Sequence, residues 1–139
     1  MTRIDFHSNV SDKLAYVCRL IRKAHAANCK MVVYHREPTV LKRLDEALWT
    51  FSDTDFLPHV MRQNKLAAMT SIVLSDSDQI PCPHYELLIN LTSRAPENFT
   101  AFQRMIEIIS ADEQDKLAGR ERYRHYQQQG HNLTHFVAK

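Results

Sequence analysis

The chain has 139 residues, 44% apolar and 24% charged, with a formal net charge of +2. At roughly 100–200 residues per domain, this predicts one domain over residues 1–139, large enough for a core without metal or disulfide support. Its two glycines, Gly119 and Gly130, exclude a glycine-rich phosphate loop, and the near-even charge balance is too weak to argue for nucleic acid by itself.

In chain order, residues 3–8 alternate apolar and polar, the pattern of a short strand. Ser8, Asn9 and Ser11 offer caps for a helix on which Leu14, Val17, Cys18, Ile21 and Ala24 share one face, ending near Asn28. Met31–Tyr34 is an apolar run read as a buried strand. Pro38 opens the next helix in its favoured first turn, with Leu41, Leu44, Ala47 and Leu48 inward. Asp45 and Glu46 read as its solvated face, and Phe51 to His59 as a loop. Two further apolar runs, Ser71–Leu74 and Glu86–Leu91, flank a loop with two prolines. Pro96 breaks the chain again before a segment ending in Ile108 and Ile109, read as a strand. A last helix runs from Ala111–Glu113 to about Gln129, stopped by Gly130, and residues 131–139 are expected to be a loosely held tail. Strands alternating with helices predict an α/β fold, a single-domain three-layer sandwich with a mostly parallel sheet and helices on both faces.

The three cysteines lack a C-x-x-C pair and a secretion signal, so they read as reduced thiols, Cys18 in the core. No apolar run reaches the length of a membrane span and no signal-peptide pattern opens the chain, which points to the cytoplasm and away from a membrane. Cys82-Pro83-His84 and His131-x-x-x-His135 are incomplete as zinc pairs, so no metal is expected. The remaining histidines are scattered, and no nucleophile–base spacing suggests catalysis or a cofactor.

Two stretches break the core pattern. On the helix from Pro38, Trp49 falls some 140° from the centre of the apolar arc, so the only tryptophan points away from the core. With Phe56 and Pro58 following in a polar loop, this has either the character of an interface hot spot or that of a frayed helix end whose Trp49 tucks under the loop. On the last helix, Lys116, Arg120, Tyr123, Arg124 and Gln127 share one face, within about 100° of arc. Three cations and an aromatic ring there suit phosphates, or a carboxylate terminus beside an apolar side chain, while late-helix cations also complement the helix dipole.

Arg43-Leu44-Asp45-Glu46-Ala47-Leu48-Trp49 followed by Phe56-Leu57-Pro58-His59, and Arg120-Glu121-Arg122-Tyr123-Arg124-x-Tyr126 followed by Gly130-x-Asn132-Leu133, are similar to the signature of the chi subunit family of bacterial DNA polymerase III. The resemblance runs over essentially the whole chain. It implies a Rossmann-like fold without nucleotide chemistry, and a non-catalytic replisome adaptor of the clamp loader. Two partners follow from it. One is the psi subunit, at Trp49, Phe56 and Pro58. The other is the acidic, phenylalanine-ending C-terminal tail of single-stranded DNA-binding protein (SSB), at Arg120, Tyr123 and Arg124 with Lys116 and Gln127. Ile109 is the candidate apolar wall for the terminal ring. The family commonly has Lys at the position of Arg124, and a basic residue can stand where this chain has Gln127. DNA is then contacted only indirectly. A helicase is a further candidate at the psi-facing surface, and a monomer pairing one-to-one with psi is expected. Against this stand direct single-stranded nucleic-acid binding by the basic helix, and a degenerate α/β hydrolase using a histidine.

Overall fold

The computed structural model describes residues 2–50, 57–79 and 81–138. Among these residues the strands are β1 (Arg3–Val10), β2 (Met31–Tyr34), β3 (His59–Met61), β4 (Ile72–Ser75), β5 (Leu87–Asn90), β6 (Arg104–Ser110) and β7 (Asn132–Val137). They form one sheet in the order β3-β4-β2-β5-β6-β1-β7, and every neighbouring pair is parallel. Helices α1 (Lys13–Ala26), α2 (Pro38–Thr50) and α3 (Glu113–Gln128) supply crossovers.

The period-two alternation of strand side chains sorts the core into two layers. Met31, Val33, Ile72, Leu74, Leu87, Ile89, Ile106 and Ile108 pack with Val17, Cys18 and Ile21 of α1 and Leu41, Leu44 and Leu48 of α2. Ile4, Phe6, Val32, Tyr34, Val73, Leu88, Met105 and Ile109 pack on the other side, with Tyr126 of α3 and Phe99. Both faces of the central strands are therefore covered, as their near-continuous apolar runs require. The α/β sandwich with helices on both faces is the architecture expected from the sequence, and its sheet is parallel throughout the described strands.

Four local readings change. The cap of α1 is Asp12, whose carboxylate accepts from the Ala15 amide at 3.2 Å, in place of Ser8, Asn9 or Ser11. His59 belongs to a strand; three residues on an edge are too few for a legible alternation. Strand β6 begins at Arg104, paired with Arg3 and Leu87 and several residues before the Ile108-Ile109 pair; buried Glu107 interrupts the apolar run that would mark it in the sequence. The segment expected to be a loose tail instead forms β7, paired with β1 from Arg3↔Asn132 to Ser8↔Val137. Its exposed, half-polar pattern gives no core signal, and only β1 as a template makes it a strand. Gly130, at φ 83°, makes the left-handed turn that leads α3 into it.

Candidate functional site

Strands β6 and β1 are neighbours, yet the chain leaves β1 into α1 on one face and β6 into α3 on the other. Such a switch point at the carboxyl ends of parallel strands is where α/β sheets bind ligands. Here the protein fills it. Lys13 Nζ lies 2.9 Å from the Asp115 carboxylate, which also accepts from the Ser110 amide at 2.7 Å. The capping carboxylates of Asp12 and Asp112 take up amides at the two helix starts. Burial works against the Asp115 charge, but the Ser110 amide and Lys13 hold its carboxyl below the usual range.

The open concavity lies one step outward, between α3 and the β7 edge. A cavity of about 440 Å³ is lined by Phe6, Ser8, Ile109, Tyr123, Arg120 and Arg124, among others. Five of the six residues singled out on sequence grounds for tail binding meet there: Ile109, Lys116, Arg120, Tyr123 and Arg124. Gln127 is exposed further along α3 and does not line the cavity. Tyr123 is half-buried, its ring standing edge-on to Phe6 with centroids 5.1 Å apart. Ile109 is buried beneath it. Lys116 is spanned by a 3.5 Å pair to Glu113 one turn back. The Arg120 and Arg124 side chains are exposed and take no hydrogen bond or ion pair among the described residues. The arrangement is an apolar slot with two free guanidinium forks at its mouth, suited to an anionic group attached to an apolar side chain.

Sequence reasoning missed Phe6, Ser8, Asn9, Gly119 and His135, which complete the lining. Ser8 Oγ lies 2.6 Å from His135 Nε2, joining β1 to β7 at the cavity wall. Gly119 had a signal: it is one of two glycines, within a predicted helix. A Cβ there would sit 2.2 Å from the Ile109 δ-methyl, so glycine is what lets α3 come down onto β6.

Beneath α3 lies a second missed feature. Glu107, wholly buried, accepts from Arg122 Nε at 3.1 Å, Arg122 Nη2 at 3.2 Å, Tyr126 Oη at 2.6 Å and Asn90 Nδ2 at 2.8 Å. Burial pushes the carboxyl upward, and the Arg122 guanidinium opposes it. Arg122 and Tyr126 therefore anchor the helix, while Arg120 and Tyr123 on its other side face the cavity. Burial also pushes the Tyr126 hydroxyl far above its ordinary range, so it donates.

The other sequence-predicted site lies at the opposite edge. Trp49, in the last turn of α2, is 54% exposed, and its ring sits 4.7 Å from that of His59 in β3. His59 is buried, with Nε2 2.8 Å from Asp45 and Nδ1 2.6 Å from the Leu57 carbonyl. Asp45 is thus a partner of the edge strand while its side chain stays 35% exposed, and Glu46 is exposed. Pro58 is half-buried beside His59, and Phe56 lies outside the described residues. From β3 to β1 there are five strand spacings, on the order of 24 Å, and α2 and α3 lie on opposite faces. The Cys82 and His84 side chains are engaged separately, with Asn98 and with the Thr70 carbonyl. Among the described residues no group of His, Cys, Asp or Glu is arranged to hold a metal ion, and no helix is long and apolar enough to cross a membrane.

The fold is thus a parallel α/β sheet with a Lys13–Asp115 ion pair at its switch point and a basic, apolar-floored cavity beside α3. Comparison with known proteins gives the family. The profile described as DNA polymerase III chi subunit, HolC, matches residues 1–134. The chain is 31% identical to the DNA polymerase III subunit chi of Pseudomonas aeruginosa over 96% of its own length and 94% of that protein. It is 26% identical to the Haemophilus influenzae subunit chi, covering 84% and 81% of the two chains, and 23% identical to that of Escherichia coli, covering 85% and 80%. The chain belongs to the DNA polymerase III chi subunit family, which gives it an accessory role in DNA replication in association with the holoenzyme.

Proposed function

We propose that this chain is a non-catalytic replisome adaptor whose cavity beside α3 receives the acidic, phenylalanine-ending C-terminal tail of SSB. The observation that carries the reading is the pairing, in one concavity, of an apolar floor of Phe6, Ile109 and Tyr123 with the unpaired Arg120 and Arg124. The terminal carboxylate pairs with a guanidinium fork, and the last ring enters the slot against Ile109. One charge-assisted pair contributes about 1.5–3 kcal/mol and one buried ring about 1.5–3 kcal/mol. After ordering costs this gives micromolar affinity for a single tail, which several tails on one SSB assembly would strengthen by avidity. The Trp49 surface, with Pro58 and Phe56, contacts the psi subunit, which links the chain to the clamp loader; a helicase is an alternative occupant of that surface. The adaptor works in the cytoplasm as a monomer paired one-to-one with psi, and meets DNA only through its partners.

The test is fluorescence anisotropy with a labelled acidic peptide ending in Pro-Phe, with the C-terminally amidated peptide and bare oligonucleotide as controls. Micromolar binding is expected, weakened roughly tenfold or more by Arg120→Ala and by the amide, with an on-rate that falls as salt rises. Equal binding of the amide overturns the reading. Tight binding of the oligonucleotide with a steep salt slope, lost in Arg120→Ala, replaces it with direct nucleic-acid recognition.

A further inference from the structure

A second cavity, of about 390 Å³, opens at the carboxyl ends of β2 and β5, and it shares no lining residue with the first. Its rim carries Arg36, which follows β2, and Arg94, which follows β5. Both are exposed, and neither guanidinium takes part in a hydrogen bond or ion pair among the described residues. Lys13 and Asp115, also in the lining, neutralise each other at 2.9 Å. Burial holds the His35 ring below its ordinary range, and its Nδ1 accepts from the Glu37 amide at 3.0 Å. The charges left for a ligand are therefore two guanidinium groups against the one carboxylate of Glu37.

The loop that bears Arg94 is held from beneath with unusual thoroughness. Asn90 Nδ2 donates to the Arg94 carbonyl at 2.8 Å, and Arg122 Nη1 donates to the Ser93 carbonyl at 2.7 Å. Thr92 Oγ1 reaches the Arg94 carbonyl at 2.9 Å and Asn90 Oδ1 at 2.7 Å. Asn90 and Arg122 are the two side chains that Glu107 grips in the core. A buried carboxylate–guanidinium pair is weak as a source of stability, since a well-packed apolar replacement often does as well. What this one accomplishes is to fix the carbonyls of the exposed Ser93 and Arg94, which pre-organises that stretch for contact.

From these observations we infer that the crevice between Arg36 and Arg94 binds a phosphate group. Guanidinium forks match carboxylates and phosphates alike. Two forks and the exposed Ser93 hydroxyl, however, offer more donors and more positive charge than the two oxygens of a carboxylate can use, whereas a phosphate monoester presents three terminal oxygens and a second negative charge. The site also lies outside the carboxyl ends of parallel strands, beside the switch point that Lys13 and Asp115 close, where ligands of α/β sheets gather. The phosphate this favours is the terminal monoester of a free nucleotide, and an oligonucleotide tests the phosphodiester backbone in its place.

The experiment is a titration of ¹⁵N-labelled full-length chain, at low salt, with inorganic phosphate, adenosine monophosphate, a fifteen-nucleotide oligo-dT and acetate, following the amides of residues 35–37 and 91–94. Saturable shifts with the phosphate-bearing probes and none with acetate are expected. The double variant Arg36→Ala/Arg94→Ala should lose about tenfold or more in affinity at an unchanged melting temperature. Glu37→Gln should gain a few-fold, because it removes the opposing charge, and Arg120→Ala should change nothing here. Tighter binding of the mononucleotide than of oligo-dT assigns the site to a free nucleotide; the reverse, with a salt-dependent affinity, assigns it to a phosphodiester backbone. Absence of saturable shifts, equal response to acetate, or an unaltered affinity in the folded double variant overturns the inference.

Discussion

At the β7 edge the molecule presents a walled cavity with cations at its mouth; at the β3 edge it presents a tryptophan standing largely in solvent over a histidine. The two surfaces differ in what they ask of a partner. A pre-formed slot lets a short, flexible chain end supply the ring and the charge. An exposed ring needs a partner that brings the pocket, and hence a folded surface of its own. They also differ in how they are supported. The cavity helix is tied to the sheet by a wholly buried ion pair, whereas Trp49 rests on His59, itself held by Asp45 of the same helix. The separation of the two, on opposite faces and about five strands apart, allows both to be occupied together.

The hardest break to this comparison is at Glu107. Arg122→Leu leaves its carboxylate buried without its cation, and should lower stability by about 3–5 kcal/mol in urea unfolding. Hydrogen exchange in α3 and β6 should rise well before exchange at the β3 edge does; a uniform rise would mean that the two edges are not separately supported. Gly119→Ala sharpens it with a smaller change. The added methyl forces the Ile109 δ-methyl aside from 2.2 Å, so overpacking of about 1–3 kcal/mol offsets a helix-propensity gain of about 1 kcal/mol. Tail-peptide affinity should fall several-fold with only a modest shift in melting temperature, and Trp49-dependent binding should be unaffected. Trp49→Ala should cost less than about 1 kcal/mol of stability and leave tail-peptide affinity unchanged while weakening psi binding. If it abolished tail binding in a folded protein, the two-surface description would fail. The smallest effect concerns acid. Asp115 is held below its ordinary 3.8 in the folded chain, so its contribution is complete above that value and is lost as pH falls through the folded pKa. Asp115→Asn should therefore flatten the stability curve below about pH 4 and change its shape little above it.

The rows of residues along α2 and α3 were legible because helical spacing is a local property. Leu41, Leu44 and Leu48 had to face inward, and Trp49 and Arg120 then had to face elsewhere, whatever they met. Helical spacing likewise puts Arg122 and Tyr126 on another face than Arg120, but it does not say that they meet a carboxylate. Glu107 stands fifteen residues away from Arg122 on a different element, and no spacing rule connects a strand to the helix after it at that resolution. Asp45 shows the converse: beside Glu46 on a helix it reads as solvated, and it is partly so, but only the arrival of β3 supplies His59 as its partner.

By itself, then, the sequence determined the α/β class, the helices and central strands, and which helix faces lie outside the core, because these follow from short-range periodicity and from burial of apolar runs. Only the tertiary structure decided that the last segment pairs with β1, that Phe6, Ser8 and His135 close the wall of the cavity opposite α3, and that the switch point is filled by Lys13 and Asp115. Each of those joins residues far apart in the chain through a sheet edge or an ion pair, and such contacts are favourable only once the fold has already brought their partners together.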